Sequence, residues 1–308
     1  MRISVVIPTL NAGPQFAELL KSLRAQQPSP PSEIIVVDSG SQDDTCKLAC
    51  DSGGRVVELN EPFNHGLTRD IGIGSANGDI IFLTVQDAAP ASNDCLARMM
   101  APFDDPEVAG VTGRQIPPPD GPLELQIKAQ LDEPSAAPEK ISLAAHPNYA
   151  QYSPAERLNL YRFDNVCSAI RRSVWVEIPF GECRYAEDYQ WAQKVLEAGH
   201  TLVREPNALM WHAHRRKFWY EFRRGLLDAW VLDQAFAYHY KFFEKLNRAK
   251  LLVRGGVGEG RPDISTRLGA FKIYFAHVLA RWYYWFHRVI LKRMGKGQAA
   301  LEWLTKDI

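Results

Sequence analysis

Paired cysteines, long apolar runs, internal repeats and a net charge of either sign are all missing from this sequence of 308 residues. The five cysteines, Cys46, Cys50, Cys95, Cys167 and Cys183, contain no C-x-x-C pair. Their odd number speaks against a closed disulfide framework, and a reducing compartment fits best. The N-terminal apolar stretch, Met1 to Pro8, is too short for a signal peptide. The most apolar late segment, Phe271 to Leu291, is broken by Lys272, His277, Arg281, His287 and Arg288. Arg281 and Arg288 would each cost about 2.5–3.5 kcal/mol near a bilayer centre, so the segment is not expected to span a membrane. Gly255 to Gly260 lacks the Lys-Ser or Lys-Thr of a P-loop. Gly72-Ile73-Gly74 sits inside a helical pattern without the third glycine of a dinucleotide fingerprint.

What is present is a core-forming composition: 46% hydrophobic and 23% charged residues exclude disorder and a collagen-like chain. The length suits one large domain, or a domain with an extension. The 36 basic and 36 acidic side chains cancel, which excludes a strongly basic nucleic-acid binder. They are not evenly spread, however. Residues 1–214 carry 17 Lys/Arg against 28 Asp/Glu, a balance of −11, whereas residues 215–308 carry 19 against 8, a balance of +11. The chain is an acidic body with a basic tail.

Along the body, short β-branched runs alternate with helical patterns. Ile3 to Ile7, Ile34 to Val37, Arg55 to Leu59 and Ile80 to Thr84 read as strands. Between them, Phe16, Leu19, Leu20 and Leu23 have the spacing of a core-facing helical stripe, and Gly66 to Asn77 reads as a second helix. Alternation resumes after a proline-rich stretch, 115–160, with a strand over Val166 to Ile170. A helix from Glu187 to Ala198 and a strand near Ala208 to Trp211 follow. Such alternation predicts an α/β fold with a mostly parallel central sheet. Ligands of such sheets bind beyond the carboxyl ends of the strands, where Asp38 and Asp87 lie.

Four stretches fall in an informative order. They are Val5-Val6-Ile7-Pro8-Thr9-Leu10-Asn11, Ile35-Val36-Val37-Asp38-Ser39-Gly40-Ser41-Gln42-Asp43-Asp44-Thr45, Gln86-Asp87-Ala88 and Glu187-Asp188. Over roughly residues 1–215 this order resembles the inverting family 2 glycosyltransferases of the GT-A fold. Phe63-Asn64-His65-Gly66-Leu67-Thr68-Arg69, Asp164 to Arg172 and His212-Ala213-His214 are similar to the rhamnosyltransferase branch. Leu67 stands where that branch usually has glycine, and Asp70 where it often has asparagine.

The resemblance implies a Rossmann-like nucleotide-sugar-binding domain over residues 1–215, and a helical extension over 216–308. It also implies a divalent cation, Mg2+ or Mn2+. The chemistry agrees, because a diphosphate leaving group gathers negative charge that a hard cation can neutralise. Asp87 supplies one carboxylate, but the usual Asp-x-Asp doublet is reduced to Gln86-Asp87. The family's histidine after the last core strand falls on His212, and His214 faces the same side if the segment is extended. Taken without those motifs, His-x-His is an ordinary surface strand. By the same resemblance Asp38 bonds the pyrimidine of the donor, although Asp-Ser-Gly-Ser is also a turn in its own right. Pro8, Thr9 and Gln86 join the donor side, and Arg69 either pairs with phosphate bidentately or is a solvated helix charge.

An acceptor hydroxyl needs a general base. Asp188, the second residue of the family's Glu-Asp motif, is expected in that role in the first turn of its helix, with Glu187 orienting the acceptor. Asn165, Arg171, Arg172, Trp191 and His214 are expected around the acceptor or sugar. The expected donor is dTDP-L-rhamnose, or else a UDP-hexose, and the expected acceptor is a growing cell-surface glycan or a lipid-linked glycan. Because the metal doublet is degraded, a catalytically silent nucleotide-sugar or glycan-binding module is the alternative class.

The tail is aromatic and basic: Trp219, Tyr220, Phe222, Arg223 and Arg224, later Arg281-Trp282-Tyr283-Tyr284-Trp285-Phe286-His287-Arg288, then Lys292, Arg293 and Lys296. Basic residues favour an anionic surface by about 1 kcal/mol each, and Trp and Tyr suit the headgroup zone. A cytoplasmic enzyme docked on the inner face of the membrane is the expectation. A helical hairpin packed on the body, or a homo-oligomer contact, is the alternative, and nucleic acid is not an expected partner.

Overall fold

The computed structural model describes residues 1–119, 121, 137–214, 217–238 and 264–286. Its chain divides into two compact units, one of residues 1–118 and 134–212 and one of 119–133 and 213–308. Arg215, the glycines of 255–260, His287, Arg288, Lys292, Arg293 and Lys296 lie outside the described residues.

The first unit begins as its apolar runs dictate. Ile3–Thr9 (β1), Glu33–Asp38 (β2), Arg55–Glu58 (β3) and Ile80–Leu83 (β4) pair in parallel, in the order β3-β2-β1-β4. The three inner strands are buried on both faces, which is why they read as unbroken β-branched runs rather than alternating ones. Phe16–Arg24 (α1) lays Phe16, Leu19, Leu20 and Leu23 into the core, the stripe its spacing predicts. Thr45–Asp51 (α2) and His65–Ser75 (α3) complete the alternation. Helix α3 lies so close to the sheet that a Cβ on Gly72 would stand 2.4 Å from Val6 Cγ1 and 2.8 Å from Val37 Cγ2.

The second half of the unit supplies Ala89–Pro90 (β5), Cys95–Met100 (α4), Val108–Ile116 (β6), Glu139–Ile141 (β7) and Pro154–Leu160 (α5). Ser168–Arg171 (β8), Arg172–Glu177 (α6), Glu187–Glu197 (α7) and Thr201–Trp211 (β9) follow. The sheet continues β4-β8-β6-β9-β5, with β7 on β9. Its longest ladders, β1–β2 and β6–β9, are parallel. Strand β8 runs antiparallel to both β4 and β6, with Ser168 opposite Leu83 and Thr112. Its amino end therefore meets the carboxyl end of β4, and its carboxyl end points away. Strand β9 starts earlier than its apolar pattern suggests, because the register jumps between Arg204 and Leu209 and so absorbs Pro206.

The second unit contains Phe218–Phe236 (α8) and Ile264–Phe286 (α9), packed through Phe222, Leu226, Ala229, Ala276, Ala280 and Tyr284. His277 Nε2 meets Glu221 Oε2 at 2.8 Å, and the Tyr284 hydroxyl donates to Asp233. No helix among the described residues is long and apolar enough to cross a membrane.

The tight seat of α3 gives a stability prediction. Gly72→Ala is expected to destabilise the protein by about 1–3 kcal/mol through overpacking. Urea unfolding checks this, with a lower midpoint and an unchanged slope.

Candidate active site

Strands β1 and β2 end side by side, with Thr9 opposite Asp38. Asp38 Oδ1 accepts from the Thr9 and Ser41 hydroxyls at 2.9 and 2.6 Å, and Oδ2 from the amides of Gly40 and Ser41 at 3.0 and 2.8 Å. Burial works against the charge, but these donors outweigh it and hold the Asp38 carboxyl below its ordinary range. The loop after β1 is stitched to the loop after β2. Asn11, Ala12 and Gly13 donate their amides to Ser41, Thr45 and Asp43, and Asn11 Oδ1 accepts from the Gln42 amide. Gln86, beyond β4, grips the backbone of Leu10 with both ends of its amide. The carboxyl ends of β1, β2 and β4 thus share one hydrogen-bonded rim.

The short strand β5 explains the next pair. Ala89 stands opposite Trp211, which brings Asp87, just before β5, beside His212, just after β9. His212 Nε2 lies 3.4 Å from Asp87 Oδ1. One ligand atom each of Asp87, His212 and His214 lie within 4.8 Å of one another. A carboxylate with two imidazoles in that span fits a divalent cation.

Helix α7 opens across the same end of the sheet. Ala186, the residue before it, has the left-handed backbone φ 58, ψ 35. That conformation costs about 1–2 kcal/mol for a residue with a Cβ. It is held by the loop in front of it, which is fastened to α3. Asp70 accepts from Trp175 Nε1 and from the amides of Phe180 and Gly181, at 2.6, 3.1 and 2.8 Å. Asn64 Oδ1 caps Leu67 and also receives the amide of Cys183. Gly66 donates to the Cys183 carbonyl, and a Cβ there would lie 2.0 Å from the Gly181 oxygen. With three donors converging on position 70, an acceptor-only carboxylate serves better than the amide of asparagine.

Arg69 and Glu187 form a buried ion pair at 3.0 Å. Arg69 also donates to the His65 carbonyl, and Asn165 donates to Glu187 Oε1 at 3.0 Å while accepting from Ser168. The neighbouring carboxyls respond in opposite directions. Burial opposes ionisation of Glu187, but the charges of Arg69 and His65 and the Asn165 bond prevail and lower its pKa. For Asp188, burial and the charges of Glu187 and Asp164 push the pKa well above the usual carboxylate range. The shift makes the ionised form of Asp188 the more avid proton acceptor, and only that form can act as a base.

Three expectations need correction. Arg69 is not open to a phosphate; it is buried against Glu187, where it steadies the start of α7. Trp191 is fully buried between Phe163 and Phe180 and donates to the Ile178 carbonyl, so it is core and not a sugar platform. Arg171 and Arg172 sit at the opposite end of the sheet, because β8 is antiparallel. Arg171 bonds the carbonyls of Phe103, Asp105 and Val108, and the Arg172 amide bonds that of Asp79. Pro8, Thr9, Asp38, Gln86, Asp87, Asn165, Glu187, Asp188, His212 and His214 are at or near the site end. Asn64, Asp70, Gln115 and Asp164 were not anticipated there; of these only Asn64, a side-chain cap before a helix, carries a local signal.

The open α/β sheet, with polar side chains gathered beyond the ends of β1, β2 and β4, has the GT-A fold. Mannosyltransferase PcManGT from Pyrobaculum calidifontis shares it at a TM-score of 0.54 and 19% identity, covering 92% of this chain and 72% of that one. Glucosyl-3-phosphoglycerate synthase from Mycobacterium tuberculosis does so at 0.52 and 19%, covering 76% and 80%. The family model described as Glycosyl transferase family 2 matches residues 4–177. The O-antigen chain rhamnosyltransferase RfbN of Salmonella typhimurium is 31% identical over 241 residues, 74% of this chain and 73% of that protein. WbaN of Salmonella anatum, also an O-antigen chain rhamnosyltransferase, is 28% identical over 238 residues, 73% and 72%. The chain belongs to glycosyl transferase family 2 and is a glycosyltransferase, similar in sequence to rhamnosyltransferases.

The two carboxyls predict opposite stability effects. Because Asp188 holds its proton more firmly folded than unfolded, the stability this gives in acid is lost as pH rises through the folded pKa. Asp188→Asn is therefore expected to raise Tm at pH 7–8, with the gap closing towards pH 4. Glu187→Ala strands Arg69 without its partner and is expected to cost about 3–5 kcal/mol at neutral pH. Thermal and urea denaturation across pH check both.

Proposed function

We propose that this glycosyltransferase moves L-rhamnose from dTDP-L-rhamnose onto a growing cell-surface glycan or a lipid-linked acceptor, with inversion and with Mg2+ or Mn2+. The observation that carries the reading is the pairing of Asp87 with His212 at one side of the sheet end, with the carboxyl of Asp188 in the first turn of α7. The donor assignment draws support from the two O-antigen chain rhamnosyltransferases. Support for the cation comes from PcManGT, whose structure holds GDP-Man and Mn2+, and from the synthase, whose structure holds Mn2+ and UDP.

In this reading Pro8, Thr9 and Asp38 receive the pyrimidine. The four bonds already made to Asp38 mean that a base N–H exchanges for a hydroxyl, Thr9 or Ser41, which can turn away. Asp87, His212 and His214 hold the cation, and the chemistry it supplies when bound is neutralisation of the diphosphate charge. Gln86 keeps the loop of Asp87 against β1. Asp188 takes the proton of the acceptor hydroxyl as that oxygen bonds the anomeric carbon and the carbon–oxygen bond to the diphosphate breaks. Arg69, Glu187 and Asn165 hold Asp188 in place. The single displacement turns a β-linked donor into an α-linked product.

Residues 1–215 carry catalysis in this proposal, and 216–308 dock it from the cytoplasm on an anionic membrane surface. Phe271, Phe275, Trp282 and Trp285 are exposed on α9 at spacings that share one helix face, and the segment's excess of Lys/Arg suits anionic lipid.

Turnover assays with Mg2+ or Mn2+ and a donor panel test the reaction. Transfer is expected from dTDP-L-rhamnose; transfer from a UDP-hexose alone would replace the donor assignment. Asp188→Asn is expected to lose at least about 100-fold in turnover while nucleotide still raises its Tm. Near-normal turnover in that variant removes Asp188 as the base, and a protein that binds donors without turning any over is a binding module. Flotation with anionic vesicles at low salt tests docking; absence of binding, with self-association in sedimentation, favours the oligomer contact instead.

A further inference from the structure

Gln115, near the end of β6, bridges two groups that lie far apart in sequence. Its Nε2 donates to Asp164 Oδ2 at 2.6 Å, and its Oε1 lies 2.7 Å from His212 Nδ1. The two ends of this amide are not interchangeable. A carboxylate accepts and does not donate, so the NH2 end must face Asp164; the reverse would set two acceptors against each other. That leaves Oε1, also an acceptor, towards the imidazole. His212 Nδ1 must then carry the ring proton. The other nitrogen, Nε2, faces the Asp87 carboxylate at 3.4 Å, so it either carries a proton for Oδ1 or gives its lone pair to a cation placed between the two atoms.

Both anchors of the bridge are themselves fixed. Asp164 Oδ1 accepts from the Val166 amide at 3.0 Å, and the Asp164 amide donates to the Thr112 hydroxyl. The His212 amide donates to the Ile116 carbonyl at 2.9 Å, in line with the β6–β9 ladder in which Ile116 faces Trp211. The backbone thus holds the ring beside β6, and Gln115 meets that ring at Nδ1.

We propose that Gln115 is a positioning residue of the metal site, one that keeps a proton on His212 Nδ1 and so turns Nε2 towards a cation shared with Asp87. The proposal rests on reading Asp87 and His212 as metal ligands. Outer partners of a ligating histidine typically matter 10- to 100-fold for metal affinity, because they set both tautomer and ring orientation. Asp164 also belongs to the charges acting on Asp188, so Asp87, His212, Gln115 and Asp164 form one continuous polar chain from the metal side to the base side.

The test uses the full chain labelled with 15N-histidine, with His212 identified by its loss in His212→Ala. In metal-free wild type the two-bond proton–nitrogen correlation is expected to show His212 protonated on Nδ1. Gln115→Met, similar in volume but without the amide, is expected to lose that preference. Its Mn2+ affinity, followed by the paramagnetic resonance signal of free Mn2+, is expected to fall about 10- to 100-fold with Tm unchanged. A wild-type His212 without a proton on Nδ1, or a Gln115→Met protein with unaltered tautomer and Mn2+ affinity, would overturn the proposal. The metal reading fails separately, if His212→Ala binds Mn2+ as tightly as wild type; the metal-free tautomer then still decides whether Gln115 governs the ring.

Discussion

Taking a guanidinium and a carboxylate out of water costs several kcal/mol for each ion, and only close geometry with further hydrogen bonds recovers it. Arg69 and Glu187 meet that condition: a 3.0 Å contact, an added bond from Asn165 to the carboxylate and one from Arg69 to the His65 carbonyl. The pair joins α3, packed on the parallel strands, to the first residue of α7 in the second half of the sheet. Its value lies more in placement than in stability. Any drift of α7 along its axis would leave two unpartnered charges in the interior, so the helix start is fixed, and with it the next residue, Asp188.

The same junction separates two adjacent carboxyls into different roles. Glu187 faces cations and an amide and stays ionised; Asp188 faces two other acidic groups and resists ionisation. Environments that drive neighbouring titratable groups apart are the usual way a protein assigns one to structure and one to proton transfer. The left-handed Ala186 that precedes them is sustained by the loop's bonds to Asn64, Gly66 and Asp70. Strain at that position is the local cost of a fixed turn into the site.

The parallel half of the sheet was legible because doubly buried strands leave continuous β-branched runs, and Asp38 and Asp87 were legible as the residues at which those runs stop. Strand β6 was not, since Gly110 and Gly113 interrupt its apolar pattern. Those glycines answer a crowding that the local sequence does not record: a Cβ on Gly110 would press on Leu202, Trp191 and Phe163, and one on Gly113 on Ala208 and Cys167. Arg172 was misplaced because strand direction is a property of the whole sheet. A reversed β8 sends its last residues to the far end while keeping Asn165 at the near one. Trp191 shares a helix with Asp188, but with Ala192, Val195 and Leu196 it lies on the apolar stripe that turns inward. Gln115 was invisible for a simpler reason: its partner His212 lies 97 residues away.

The bond from Gln115 to Asp164 joins residues 49 positions apart and closes the stretch between them at its base. Both ends of that stretch stand at the catalytic rim, and the sheet strands on either side are held by ladders of their own. Doubling the length of such a closed excursion costs only about 0.6 kcal/mol in chain entropy. Its described part is also pinned along the way, since Glu139 to Ile141 pair with β9 and Arg204 donates to the carbonyls of Asn159 and Leu160. A change of length there is cheap in chain entropy, and it reaches the rim only through the points that close and pin the excursion.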